Sequence, residues 1–203
     1  MSALHTSLKR ALEDGHGRSV TDLRDDGDLR GDDSKQTASA AVLIAVTERP
    51  RPGVLLTQRP QSMRSHPGQV AFPGGKLDPG EDAVTAALRE ADEELALPRN
   101  QVRVIGTTDQ YVTGTGFDIT PVLATVPADL PLTPNPHEVE AWFEVPLDML
   151  MTRASWTENS AYYRGADRRY LEMDYEGFRI WGVTAGIIAN LAQRIAPEDV
   201  NHG

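Results

Sequence analysis

Blocks of aliphatic and β-branched residues recur along the chain from about position 40. Residues 40–46 and 53–57 are two such blocks, separated by Arg49, Pro50, Arg51 and Pro52, and they predict a pair of strands around a turn. Residues 69–72, 102–108, 118–125, 140–145, 161–163 and 170–175 predict further strands, and residues 182–193 a closing helix. Between the third and fourth strands, Asp78, Pro79 and Glu81 stand in the order of a helix start. Asp78 is expected at the N-cap, Pro79 as the first helical residue and Glu81 as the partner that closes a capping box. Strands in a run, with one capped helix in the middle and one at the end, predict a mixed sheet with helices on its faces.

The pattern before position 38 is different. Leu4, Leu8 and Leu12 recur every four residues, which predicts a short amphipathic helix over residues 2–13 that needs a surface to pack on. Residues 18–36 are rich in Asp, Arg, Gly and Ser and nearly empty of large apolar groups, and they read as a mobile linker. The division expected is residues 1–36 as helix and linker and residues 37–203 as one catalytic-sized domain. On that division, residues before about Lys35 should be removable with little loss of rate. Docking of the leucine face on the domain or on a second subunit, a homodimer, is the other outcome left open.

Composition removes several functions. The chain of 203 residues has no cysteine, which excludes a disulfide framework, a thiolate zinc site and a cysteine nucleophile. A formal charge of −10 with no Lys/Arg block argues against nucleic acid or an anionic membrane as partner. No run approaches the roughly 18 apolar residues of a membrane span, and the first residues lack a secretory core, so the expected location is the cytoplasm.

The candidate chemistry lies on the capped helix. At about 100° per residue, Val84, Leu88, Ala91 and Leu95 share one side, while Glu90, Glu93, Glu94 and Leu97 share another. Three carboxylates at i, i+3 and i+4 repel one another, so this side is either a solvated acidic face or a seat for a cation. Just before the cap, Phe72-Pro73-Gly74-Gly75-Lys76 puts two glycines where backbone can approach a ligand closely. Together, Gly75, Glu81, Arg89, Glu90, Glu93 and Glu94 resemble the Nudix box: Gly, five residues, Glu, seven residues, Arg-Glu, two residues, Glu-Glu. The box carries Gly where this chain has Ala96, so a different exit from the helix is expected, with Pro98 as a stop.

The resemblance implies a Nudix-like α/β/α sandwich with a mixed sheet. It also implies an enzyme cutting a diphosphate bond with Mg²⁺ or Mn²⁺, ions suited to oxygen ligands. Glu90, Glu94 and the Gly75 carbonyl are then the implied metal ligands. Glu93 is a ligand or the general base, Arg89 holds Glu93 by a bidentate contact, and Glu138 is a second candidate base from a downstream loop.

Upstream, Leu55-Leu56-Thr57-Gln58-Arg59, then Arg64, Gly68 and Phe72-Pro73-Gly74-Gly75, resemble the signature of the coenzyme A pyrophosphatase branch of that family. Pro60 departs from its small residue after Arg59. The implied substrate is coenzyme A or a thioester of it, cut to 3′,5′-ADP and a 4′-phosphopantetheine product. Arg59 and Arg64 are candidate readers of its 3′-phosphate, with Lys76 and His66 as further substrate-binding candidates. Other Nudix specificities, such as ADP-ribose or a dinucleoside polyphosphate, remain competitors, as does a non-catalytic nucleotide-sensing module. Tyr111 reads either as a specificity residue of those branches or as core packing. The isomerase chemistry known on this fold uses a cysteine, which the chain lacks.

Overall fold

A computed structural model describes residues 2–21, 23–29, 37–63, 65–163 and 166–196. In chain order the elements are α1 (Ala3–His16), β1 (Ala38–Glu48), β2 (Gly53–Gln58), β3 (Val70–Ala71), β4 (Gly74–Lys76) and α2 (Ala83–Leu95). They continue as β5 (Arg103–Thr107), β6 (Tyr111–Val112), β7 (Phe117–Pro127), β8 (Ala141–Pro146), α3 (Leu147–Met151), β9 (Thr157–Tyr163), β10 (Ala166–Tyr175), β11 (Phe178–Trp181) and α4 (Gly182–Ile195).

β1 lies inside the main sheet with both faces apolar. Ala41, Leu43 and Ala45 point into one buried cluster and Ile44 and Val46 into another, the alternation of a strand covered on both sides. β7 runs parallel to β1, with Leu43 opposite Val122, and the other pairings are antiparallel. The strand order is β3-β2-β1-β7-β5, with β4 also on β1, β6 on β7 and β8 on β2. β9, β10 and β11 make a separate antiparallel meander.

α2 covers the Ala41 face. Its Ala86, Ala87 and Ala91 are fully buried beside Ala41 and Ala45, so small side chains on both elements let the helix lie close to the sheet. Leu43, Leu95 and Leu97 fill the same layer, each stabilising the fold by about 1.5–3 kcal/mol. The other face is covered by α1, α3 and α4 through Leu8, Leu12, Leu150, Ile188 and Leu191. The result is the expected α/β/α sandwich with a mixed sheet. No described helix is long and apolar enough to cross a membrane.

The structure corrects the sequence reading in four places. α2 begins at Ala83 with Asp82 as its N-cap, accepting from the Thr85 amide at 2.8 Å. Gly80 at φ 85° turns the chain where Asp78 was expected to start the helix. Asp78 and Glu81 instead close a turn, with the Asp78 amide donating to Glu81 Oε2 and the Glu81 amide to the Asp78 carbonyl. Glu94 and Leu97 do not face away from the core, since both are buried. Ala96 takes the left-handed conformation, φ 53° and ψ 35°, and does the job of the missing glycine with its Cβ in place.

The fourth correction concerns the stretch after α1; α1 itself, expected over residues 2–13, forms over Ala3–His16 and takes one of the docking outcomes left open. The α1 leucines pack on this chain's own α4 and β5, and Ser2 caps α1 while donating to Glu48 Oε1 at 2.6 Å. The described part of residues 18–36, expected to be mobile, is held by polar bonds in place of apolar contacts. The Arg24 amide donates to Asn190 Oδ1 at 2.7 Å, and Asn190 Nδ2 returns a bond to the Arg24 carbonyl at 2.8 Å. Arg194 donates to the Gly15 and Arg18 carbonyls and forks onto Asp109. Residues 22 and 30–36 lie outside the described residues.

Candidate active site

Arg89, six residues into α2, organises the loop before the helix. Its Nε and one terminal nitrogen grip Glu81 at 3.0 and 2.9 Å, and that terminal nitrogen also donates to the Lys76 carbonyl at 3.0 Å. The other terminal nitrogen reaches Glu90 at 2.9 Å and Glu93 at 3.2 Å. The bidentate contact expected for Glu93 therefore goes to Glu81, because the turn at Gly80 folds that carboxylate back over the helix. Arg89 holds the Glu81 carboxyl below the usual carboxylate range. Glu93 keeps a single bond and a side chain about half exposed.

Glu90 and Glu94 sit deeper. A Cβ on Gly75 would collide with the Glu90 carboxylate, so glycine is what lets that carboxylate lie against β4. Burial, and then the neighbouring Glu93 and Glu138 charges, raise Glu90 against the pull of Arg89. Glu94 is 6% exposed, and its Oε2 is buried without a hydrogen-bond partner. Its carboxyl is pushed up to about 8, first by burial and then by the charges of Glu90 and Glu138, with Arg59 opposing.

Glu138 arrives on the loop after β7. The Thr133 and Asn135 amides donate to the Leu95 and Glu94 carbonyls at 2.8 Å, which ties that loop to the end of α2. Among the described residues, no three acidic or histidine side chains are gathered into a ready-made metal cage. The donors nevertheless suit a hard divalent ion. They are oxygen-only, they carry excess negative charge, and one buried carboxylate oxygen has no partner.

Across β4 from these carboxylates lies a cleft of about 530 Å³. Arg59, His66 and Lys76 line it together with Gly74 and Gly75. Arg59 makes no salt bridge among the described residues, and its Nε is buried and unpartnered. His66 adopts φ 55° and its Nδ1 lies 2.8 Å from Gln69 Oε1, while Lys76 Nζ sits 5.4 Å from the centre of the Phe117 ring. Arg64 lies outside the described residues.

The motifs gave no sign of the rest of the cleft. Its floor is Ala40, Val42, Phe117 and Ile119, and its walls include Trp181 and Thr184 at the start of α4 and Asp26 from the N-terminal segment. Tyr111 is buried and donates to Asp26 Oδ2 at 3.0 Å. Burial raises Tyr111 well above its ordinary value, so it stays a donor. The Gly-Val-Thr at the turn into α4 was the one signal available, and it reads equally as an ordinary helix start.

A strand–glycine–carboxylate helix set on an α/β/α sandwich is a Nudix arrangement, and the NUDIX domain model matches residues 36–164. The chain belongs to the Nudix family and is a Nudix hydrolase. Among its relatives, the uncharacterized Nudix hydrolase NudL of Escherichia coli (strain K12) is 46% identical over 157 residues, covering 77% of this chain and 82% of that one. NudL of Shigella boydii serotype 4 (strain Sb227) matches over the same spans at the same identity. Among solved structures, a C. elegans Ap4A hydrolase binary complex is 25% identical with a TM-score of 0.47, over 54% of this chain and 80% of that one.

Proposed function

We propose that this Nudix hydrolase cleaves the diphosphate bond of coenzyme A or its thioesters, in the presence of Mg²⁺ or Mn²⁺, to 3′,5′-ADP and 4′-phosphopantetheine or its acyl form. The observation that carries the substrate is Arg59: a guanidinium with a buried, unpaired Nε, free of any described salt bridge, lining the cleft beside Gly75 and Lys76. A guanidinium donor left buried and unpaired at a cleft is costly unless a ligand oxygen completes it. A phosphate beyond the diphosphate fits that need, and the branch-like segment from Leu55 to Phe72 supplies the same residue.

Nudix hydrolases generally use divalent ions. Here Glu90, Glu94 and the Gly75 carbonyl would hold the ion, which when bound neutralises diphosphate oxygens and acidifies water. Arg89 positions this set by fixing Glu81 and the Lys76 carbonyl on one side and Glu90 on the other. Glu138 and Glu93 are the two candidate bases. The charge of Glu138 raises both Glu90 and Glu94, which supports a place for Glu138 beside them, while the single Arg89 bond and open exposure of Glu93 support Glu93. Lys76 and His66 sit where they can meet phosphate oxygens at the cleft wall.

A panel of coenzyme A, acetyl-coenzyme A, ADP-ribose and diadenosine polyphosphates, assayed with Mg²⁺ and Mn²⁺ and with products identified by mass, tests this reading. Release of 3′,5′-ADP as the fastest reaction is expected. A preference for ADP-ribose would overturn the coenzyme A assignment, and binding without turnover would make the chain a sensor.

A further inference from the structure

The cleft has a polarity that the metal site does not explain. Lys76 on β4 is registered with Ala40 on β1, Ala40 with Ile119 on β7, and Ile119 with Tyr111 on β6. These four residues form one row across four strands, about 14 Å from end to end at the usual strand spacing. The Lys76 end is cationic and adjoins Arg59 and the carboxylate helix. The middle is apolar, with Ala40, Val42, Ile119 and Phe117 along the floor and Trp181 on the wall.

The Tyr111 end is acidic, because Asp26 lines the cleft there. Three contacts fix Asp26. Its amide donates to the Val112 carbonyl at 2.8 Å, its carbonyl accepts from the Leu29 amide at 3.0 Å, and its Oδ2 accepts from Tyr111. Tyr111 is itself seated by Gly186 of α4, where a Cβ would strike the tyrosine ring and hydroxyl. Among the described residues no bond reaches Asp26 Oδ1. The N-terminal segment thus delivers a positioned hydrogen-bond acceptor to the far end of an apolar slot.

We infer that this end of the cleft is a purine subsite, in which the adenine ring lies on the apolar floor beside Phe117 and Trp181 and its exocyclic amine donates to Asp26 Oδ1. The order of the row matches the order of an adenine nucleotide: phosphates at the cationic end, a flat apolar ring in the middle, an N–H donor at the acceptor. An anionic or acceptor-only group is rejected at Asp26 by like charge and by an unpaired carboxylate oxygen. The subsite rests on the nucleoside-diphosphate reading of the enzyme and not on coenzyme A in particular.

The test compares 6-amino with 6-oxo purines. ADP-ribose against its inosine counterpart, and coenzyme A against its hypoxanthine analogue, are assayed for kcat/KM, and AMP against IMP for binding by tryptophan fluorescence. The unmodified protein is expected to favour the amino form by at least about tenfold, since the 6-oxo group sets an acceptor oxygen against the Asp26 carboxylate where the amine sets a donor. Asp26→Asn, whose amide can also donate to a 6-oxo group, should shrink that preference, and Tyr111→Phe should shrink it partly by loosening Asp26. Equal use of the two forms by the unmodified protein overturns the subsite. So does an Asp26→Asn variant that stays folded by circular dichroism and weakens both forms alike. A preference within the ADP-ribose pair supports the subsite even if coenzyme A proves a poor substrate, so the two readings fail separately.

Discussion

Glu94 shows what burying a carboxylate costs the fold. It is buried, its Oε2 is unpaired and its carboxyl is raised to about 8. A carboxyl raised above its unfolded value destabilises the folded state progressively as pH climbs from the ordinary carboxylate range through the folded value. In chelator at pH 9, Glu94→Gln should therefore be more stable than the parent, on the order of 1–3 kcal/mol, while losing most turnover in Mg²⁺. Equal or lower stability, by urea unfolding, would remove burial as the source of the shift. Ala96 carries a smaller strain, a left-handed conformation that costs a residue with a Cβ about 1–2 kcal/mol. Ala96→Gly should raise stability by about 1 kcal/mol after the extra freedom of the unfolded glycine is subtracted, visible as a higher Tm.

At the scale of elements, α1 belongs to the core. Leu8 and Leu12 are buried in the same cluster as Ile188 and Leu191, and Gly15 lies so close to the Arg194 carbonyl that a Cβ would collide with it. Deleting residues 2–17 should cost about 3–6 kcal/mol from the two leucines alone, the reverse of the dispensable extension expected from composition. Urea unfolding with an unchanged midpoint would contradict this. Gly15→Ala should lower Tm in the same direction without shortening the chain. The low apolar content of residues 18–36 was read correctly as composition. It misled because Arg24, Asp26 and Asn190 anchor the described part of that segment by backbone and amide bonds, which leave no hydrophobic pattern to read.

At the scale of the molecule, the carboxylates and the cleft lie on opposite sides of β4, whose Gly74 and Gly75 put no side chain between them, and Arg59 on the cleft side acts on Glu94 across that gap. Substrate recognition and chemistry are therefore largely separable. Arg59→Ala should weaken coenzyme A use by about 1.5–3 kcal/mol in kcat/KM, mostly through KM. Dephospho-coenzyme A, lacking the 3′-phosphate, should be affected much less. Steady-state kinetics showing equal losses on both substrates would return Arg59 to a structural role.

The sequence alone determined β1, β2, β7 and β8, because strands covered by protein read as unbroken apolar and β-branched runs between turn residues, and α4, whose apolar run is too long for a strand. It also determined the spacing of Gly75, Arg89, Glu90 and Glu94, since one turn and one helix set their geometry locally. Short β4, β6 and β11 carried too few residues for a period to show, and the turn at Glu176-Gly177, both at positive φ, was missed for the same reason. Only the tertiary structure decided that Arg89 forks onto Glu81, that Glu94 is buried, and that Asp26, held by Tyr111, and Trp181 line the cleft. Those contacts join residues from distant parts of the chain, and their geometry comes from strand register and helix packing, which no local spacing encodes.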